Sequence, residues 1–397
     1  MHEKDANILI KTLFFIAVLV LVSNSTVFAA AFWGRFTDPQ DGKFDVSGWS
    51  EEEDEKAGGI LPIPIIISEP ALGGFGLGIS LAYMQNKEPD EAEESVEPLA
   101  EEVRKKPPSI TGVAAAYTLN DSWFVAGGYS NNWMNDSLRY LGALGYAAFN
   151  LDFYGVGEDG LPSDTSIPFN IDGIVLFQDL AYRLFNSDIF LGAQYSIVST
   201  EVTIDLSETI PGISPAQLDS SDGGAGPTLL YDSRDNTFTP NRGNKAGVSA
   251  IFHSPSIGGD FTYEMYAASW LTWFQVHPKV NLALRFEGDL AEGNTPFYAL
   301  PFISLRGIPA LRYQDEVVIV GEVEARYQAS TRWSFIGFTG AGRVADTIGE
   351  LGSATSRHTI GTGFRYYIAR KFGLHSGVDV AWGPEKAYVY ITVGSAW

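Results

Sequence analysis

Along much of the second half of this chain, apolar and polar side chains alternate residue by residue. Val280, Leu282, Leu284 and Phe286 fall on one face, with Lys279, Asn281, Arg285, Glu287 and Asp289 on the other. Successive side chains of a strand point to opposite faces, so a strict period of two makes a ribbon with one oily and one wet side. Charges at that density are too costly to place in a dry core. The wet face therefore meets bulk water or lines a water-filled lumen. The same pattern recurs where Leu374, Val378, Val380 and Trp382 oppose His375, Gly377, Asp379 and Ala381. It recurs again at the end of the chain, with Val389, Ile391, Val393 and Trp397 opposite Tyr388, Tyr390, Thr392 and Gly394.

The first residues carry the features of an export signal. Lys4 and Lys11 precede an apolar run from Leu13 to Val22, then Ser23–Thr26 and the small residues Val27 and Ala29. This predicts a signal peptide over 1–29 cleaved after Ala29, with Ala30 or Ala31 as neighbouring sites. The competing reading is an uncleaved anchor, but an apolar core of about ten residues falls short of the ~20 a spanning helix needs. No later stretch reaches ~18 apolar residues, so strands rather than helices must cross any membrane. The expected fold class is all-β, a transmembrane antiparallel β-barrel closed by pairing of its first and last strands, in the bacterial outer membrane.

The chain has no cysteine and carries a formal net charge of −22. Absence of cysteine excludes a disulfide framework, leaving packing and sheet closure to hold the fold. Such acidity argues against nucleic acid as a partner. Much of it lies in two runs, Glu51–Glu55 and Glu88–Glu102, which read as solvated linker or loop. Nine Trp, 18 Tyr and 25 Phe supply the aromatic girdles of an outer-membrane barrel, whose partners would include the membrane's lipids.

The sequence predicts an acidic linker over 30–59, then a barrel over 60–397. Strand-like segments fall near Gly74–Tyr83, Ile110–Thr118, Trp123–Tyr129, Leu138–Tyr154, Ile167–Arg183 and Ile189–Ile204. Leu138–Tyr154 reads equally as one strand or as a hairpin. Cleaner segments follow from Gly223 onward. Pro62–Ile67 adds an edge-like first strand, because proline lacks a ladder donor and belongs at an edge. The total is 16 strands with that segment and 14 as the alternative. Tight turns such as Ala329-Ser330-Thr331 and His277-Pro278 alternate with long loops, the asymmetry of outer-membrane barrels.

One group of motifs resembles a known family. Asp232, Arg234 and Asp235, followed by Pro240 and Gly243, are similar to a strand-and-turn signature of the BamA/TamA-like surface-antigen barrels. Leu305-Arg306-Gly307 resembles the "VRGF" tip of that family's inward-folded sixth loop, and Gly321-Glu322-Val323-Glu324 the strand after it. Phe338–Gly342 resembles the "FxDxG" strand, and Gly361, Gly363, Arg365, Asp379 and Trp397 the final strands. The likeness is strongest over 223–397 and looser over 60–222. It implies a short form without the soluble POTRA domains. It also implies insertion or translocation of protein or lipid cargo through a weak seam, and handling by the barrel assembly machinery during the chain's own insertion. Val389, Ile391, Val393 and Trp397 resemble the signal which that machinery reads. The alternative is a passive pore or structural barrel without assembly activity.

The chain departs from the family at Gly340, which stands where the "FxDxG" strand carries its acid. Arg306 is always charged and cannot sit unpaired in a narrow lumen. By parity Glu322, Glu324 and Arg326 point inward, so Glu324, with Glu322 beside it, is the expected partner of Arg306 at the tip of the 291–315 loop.

The run from Asp232 to Asn236 lacks the spacing of a calcium loop and reads as a turn, so no metal is expected. His253 and Ser254 are neighbours on a strand and face opposite ways, which excludes a dyad. With no nucleophile elbow, zinc motif or phosphate loop, neither an enzyme nor a cofactor is expected.

Overall fold

The computed structural model describes residues 37–38, 40–46, 59–85, 109–157, 161, 165–204, 218–370 and 373–394. Its strands are β1 (Gly59–Ile67), β2 (Gly76–Gln85), β3 (Ser109–Thr118), β4 (Trp123–Trp133), β5 (Leu138–Phe153), β6 (Ile167–Arg183), β7 (Ile189–Ile204) and β8 (Asp219–Asp232). There follow β9 (Gly243–His253), β10 (Tyr263–His277), β11 (Val280–Gly293), β12 (Val317–Gln328), β13 (Trp333–Ala345), β14 (Arg357–Ala369), β15 (Leu374–Trp382) and β16 (Ala387–Val393). Each strand pairs antiparallel with the next, giving one 16-stranded sheet in chain order. Pro62–Ile67 does form a first strand, and Leu138–Phe153 is a single strand rather than a hairpin. The signal segment, both acidic runs and Trp397 lie outside the described residues.

The sheet curls so that one face looks out. Leu77, Ile79, Leu81, Val125, Leu144, Ile174, Val248 and Phe286 are exposed on it, an apolar belt of the kind lipid requires. On β11 the register puts Val280, Leu282, Leu284 and Phe286 on this outer side. Their neighbours Asn281, Ala283 and Arg285 are buried within the barrel. Period two would make Asn281 and Ala283 tolerant lumen positions, but Ala283 packs on Leu271 and Trp273, and Asn281 Nδ2 donates to Asn241 O at 3.1 Å. Arginine is therefore disfavoured there by overpacking. Ser269, inward and opposite Glu287, is the better lumen probe. Leu284→Arg should cost ~2–4 kcal/mol of barrel stability, while Ser269→Arg should be nearly neutral. Heat-modifiability on gels, run against urea, compares the two. Equal losses would contradict the facing.

The two ends of the barrel differ. Connections at one end are mostly tight, such as the two residues between β10 and β11, whereas the opposite end carries the loop of residues 294–316 between β11 and β12. At the turn end, part of the predicted linker is docked rather than free. Thr37 bridges Phe44 to close a small hairpin. Arg332, fully buried, holds Asp45 and Asp41 at 2.7 Å and also pairs with Asp38. Val46 N donates to Ile368 O at 2.7 Å, and its side chain joins Ala82, Ala369 and Leu374 in an apolar cluster with Ile63, Ile110 and Phe238. Leu374, expected on the outer face, is buried here because a register shift between Tyr367 and Ala369 turns the start of β15.

The barrel is nearly closed, its first and last strands lying side by side as expected. No ladder joins β1 to β16 among the described residues, although the two edges are adjacent. Ile391 N donates to Ser68 Oγ at 2.8 Å, just beyond the end of β1. Pro62 and Pro64 lie in β1 and supply no N–H, so the free edge is short of donors for a sixteenth ladder.

Candidate functional site in the inward loop and the seam

The β11–β12 loop turns into the lumen because its middle is apolar and its tip is charged. Ile303, Leu305, Ile308 and Tyr313 are buried with Val318, Val320 and Val344 of the wall. That packing delivers Arg306 to the inward rows of β12 and β15. Arg306 Nε donates to Glu322 Oε1 at 3.0 Å, Nη2 lies 2.8 Å from Glu324 Oε2, and Nη1 donates to Asp379 Oδ2 at 2.8 Å. Its guanidinium also stacks 3.5 Å above the Phe338 ring. Burial opposes the charge, but Glu322, Glu324 and Asp379 outweigh it and hold the guanidinium pKa above its ordinary value.

Both carboxylates of the β12 row thus reach Arg306, and Asp379 joins them. Asp379 is fully buried and also accepts from Arg365 Nη2 at 2.9 Å, so two arginines share it. Period two places Asp379 on the inner face, but only the tertiary fold shows that its strand meets the loop tip. Gly340 leaves room for the loop: a Cβ there would lie 2.8 Å from Leu305 Cδ2, so any larger residue at 340 would make that side chain shift. Gly307 has φ +101 and lies backbone to backbone against Gly383, where a Cβ on either residue would collide.

The loop grips both edges of the seam. On the β16 side, Gly307 N donates to Tyr390 OH at 2.9 Å, and Arg312 Nε meets Glu385 Oε1 at 2.5 Å. On the β1 side, Glu69 Oε1 accepts from Ala310 N at 3.0 Å. Burial pushes the Glu69 carboxyl upward, against the backbone donors Ala310 and Ala71. Of the last-strand residues, Val389 and Val393 are exposed on the outer face and Ile391 is half-buried beside the seam.

The Asp232 motif builds a turn that reaches toward the same site. Asp232 joins Arg234 at 2.9 Å and Arg139 at 3.1 Å. Asp235 Oδ1 accepts from Asn241 N at 2.9 Å and from Arg242 N at 3.2 Å. Gly243 has φ +103, and a Cβ there would meet Ser233 O. Across this turn Pro240 O accepts from Arg326 Nη2 at 3.4 Å, and Asn241 also bonds Arg326. Arg326 therefore serves the turn, leaving Glu324 to Arg306, and Glu322 to Arg306 and to Arg285, whose Nη1 lies 3.5 Å away.

Neither a protein-family profile nor a curated protein sequence matches the chain. Solved structures do. BamA from Haemophilus ducreyi lacking POTRA domains 1–3 is similar with a TM-score of 0.52 and 13% identity, over 85% of this chain and 70% of that one. CdiB from Escherichia coli gives 0.55 and 11%, over 84% and 61%. CdiB from Acinetobacter baumannii gives 0.53 and 11%, over 85% and 59%. The chain spans about three fifths of the length of those two CdiB chains. The likeness is one of fold: this chain is a sixteen-stranded barrel of the BamA and CdiB type.

Proposed function

We propose that this protein is an outer-membrane barrel that inserts or translocates protein or lipid cargo through the seam between β1 and β16, with the β11–β12 loop as its clasp. The carrying observation is the pairing of a missing ladder with a loop bonded to both edges through Glu69, Tyr390 and Glu385. Such a seam separates without breaking sheet hydrogen bonds. The wall is also low there. β16 has 7 residues, about 23 Å of strand before tilt, against the ~25 Å apolar band of a typical barrel. Bilayer beside the seam would be thinned, which eases entry of polar groups. An open passive pore is disfavoured by the inward loop and by the apolar cluster at the turn end. Exposed Val389 and Val393 and half-buried Ile391, with an aromatic at position 397 of the sequence, suit recognition by assembly machinery during the chain's own insertion. Depletion of the protein should lower the levels of other outer-membrane proteins or of surface lipids. Unchanged levels of both, with altered solute permeability, would favour the pore.

A further inference from the structure

The lumen has two unlike walls. On β11 and β12 it presents Arg285, Glu287, Asp289, Glu322, Glu324 and Arg326. On β3 to β7 the register turns a different set inward. Leu141, Ala143 and Phe149 of β5, Val175 and Phe177 of β6 and Val198 of β7 share the inner face. Leu141 is 44% and Val175 38% exposed, so the apolar wall is open at these positions, whereas toward the loop end Phe153, Phe169 and Val202 pack under Phe297 of the inward loop. Charges on this wall are few: Arg139 and Arg183 near the turn end, and Asp179. Ile174 and Val175 are consecutive, face opposite ways and are both exposed, so this hairpin is oily toward the membrane and toward the lumen. Water does not favour such a lumen wall. The wall continues across β2 to β1, where Ile63, Ile65 and Ile67 face inward opposite Ser80, Gly78 and Gly76. It therefore reaches the seam edge and the hydrocarbon beyond it.

We infer that this wall is a binding surface for the acyl chains of a phospholipid-like amphiphile, admitted from the bilayer at the seam. The opposed walls give it its orientation, with the chains on β3–β7 and the polar head toward the charged rows of β11 and β12. A polypeptide segment fits less well. It would bring backbone N–H and C=O groups to a wall whose polar side chains are mainly Ser130, Gln194 and Ser196, leaving donors and acceptors unmet. An acyl chain brings none. The inference names a cargo class for the proposed seam, and the binding itself does not require that the seam serve assembly.

The test uses a photo-crosslinking amino acid placed singly in the full chain in cells, with adducts weighed by mass spectrometry. Position 174, outward, reports bilayer lipid as the positive control. Position 175 should give a lipid-mass adduct as well, and position 269 on the charged side should lose it. Leu141→Ser together with Val175→Ser should lower lipid retained through purification by about tenfold or more, from the apolar burial lost. Position 141 replaces 175 if that variant does not reach the heat-modifiable state. A protein-mass adduct at 175 would overturn the inference in favour of a polypeptide, and no adduct at 175 beside a strong one at 174 would overturn it in favour of water. Lipid adducts at 175 with unchanged outer-membrane composition on depletion would uphold the lipid site while defeating the assembly reading.

Discussion

Arg306→Ala should release the inward loop and destabilise the barrel by on the order of 3–5 kcal/mol, because it takes the closest cation from buried Glu322 and from Glu324 and leaves Asp379 to Arg365 alone. Glu322 is nearly fully buried, Asp379 fully so, and Glu324 lies 2.8 Å away. Glu324→Ala should cost less, since Glu322 and Asp379 still hold the guanidinium. The double variant should fall well short of the sum, which is the mark of residues acting together. Arg306→Lys should behave more like alanine than like arginine: a point charge cannot bridge three acids in fork geometry or stack on Phe338 as a planar group. Urea midpoints for barrel unfolding and single-channel conductance both read this. Strictly additive effects would mean that the loop tip and β12 do not act as one unit.

The second large effect is at the other end. Arg332→Ala should free the 37–46 hairpin, because the one buried guanidinium anchors Asp38, Asp41 and Asp45 together. Limited proteolysis should then cut in this segment at the rate of unanchored chain, while the strands stay protected. Acid should do the same. Asp41 is held down to about 2, first by its hydrogen bond from Arg332, against burial and with help from the Lys43 backbone. A carboxylate whose folded pKa lies below its unfolded value of ~4 contributes fully above that value and loses the contribution as pH falls toward the folded one. Docking should therefore hold at neutral pH and fail between about pH 4 and pH 2. Protection that persists in Arg332→Ala would place the anchor elsewhere, in the Val46 cluster.

Much of this molecule could be read from period two, and the failures have physical causes. β11 and β12 alternate cleanly because their inner faces carry Arg285, Glu287, Asp289, Glu322, Glu324 and Arg326. Strands β4 to β6 do not, because Leu141, Val175 and Phe177 make the inner face apolar too, and a strand with two oily faces loses its period. The inward row Glu322, Glu324 and Arg326 follows from parity, whereas Arg306 as the tip of an inward loop comes from the resemblance to the surface-antigen barrels. Asp379 comes from 73 residues away in sequence, and no local pattern joins it to the loop. The docked hairpin was equally hidden. Asp38–Asp45 has the Pro, Gly and Asp composition of a turn or linker, and the partners that order it, Arg332 and Arg370, lie about 300 residues later. Pro62 and Pro64 did announce an edge, but the open seam needed the register of β1 to be seen.

The claim on which the functional account rests is that β1 and β16 must part. The chain has no cysteine, so a pair at Ser68 and Ile391, whose side-chain and backbone atoms already meet, can be introduced without background. Ser68→Cys with Ile391→Cys, oxidised in the membrane, should give a folded, heat-modifiable barrel that fails to maintain outer-membrane protein or surface-lipid levels, and reduction should restore them. Full activity of the cross-linked protein would contradict the account, because cargo would then pass without the seam opening.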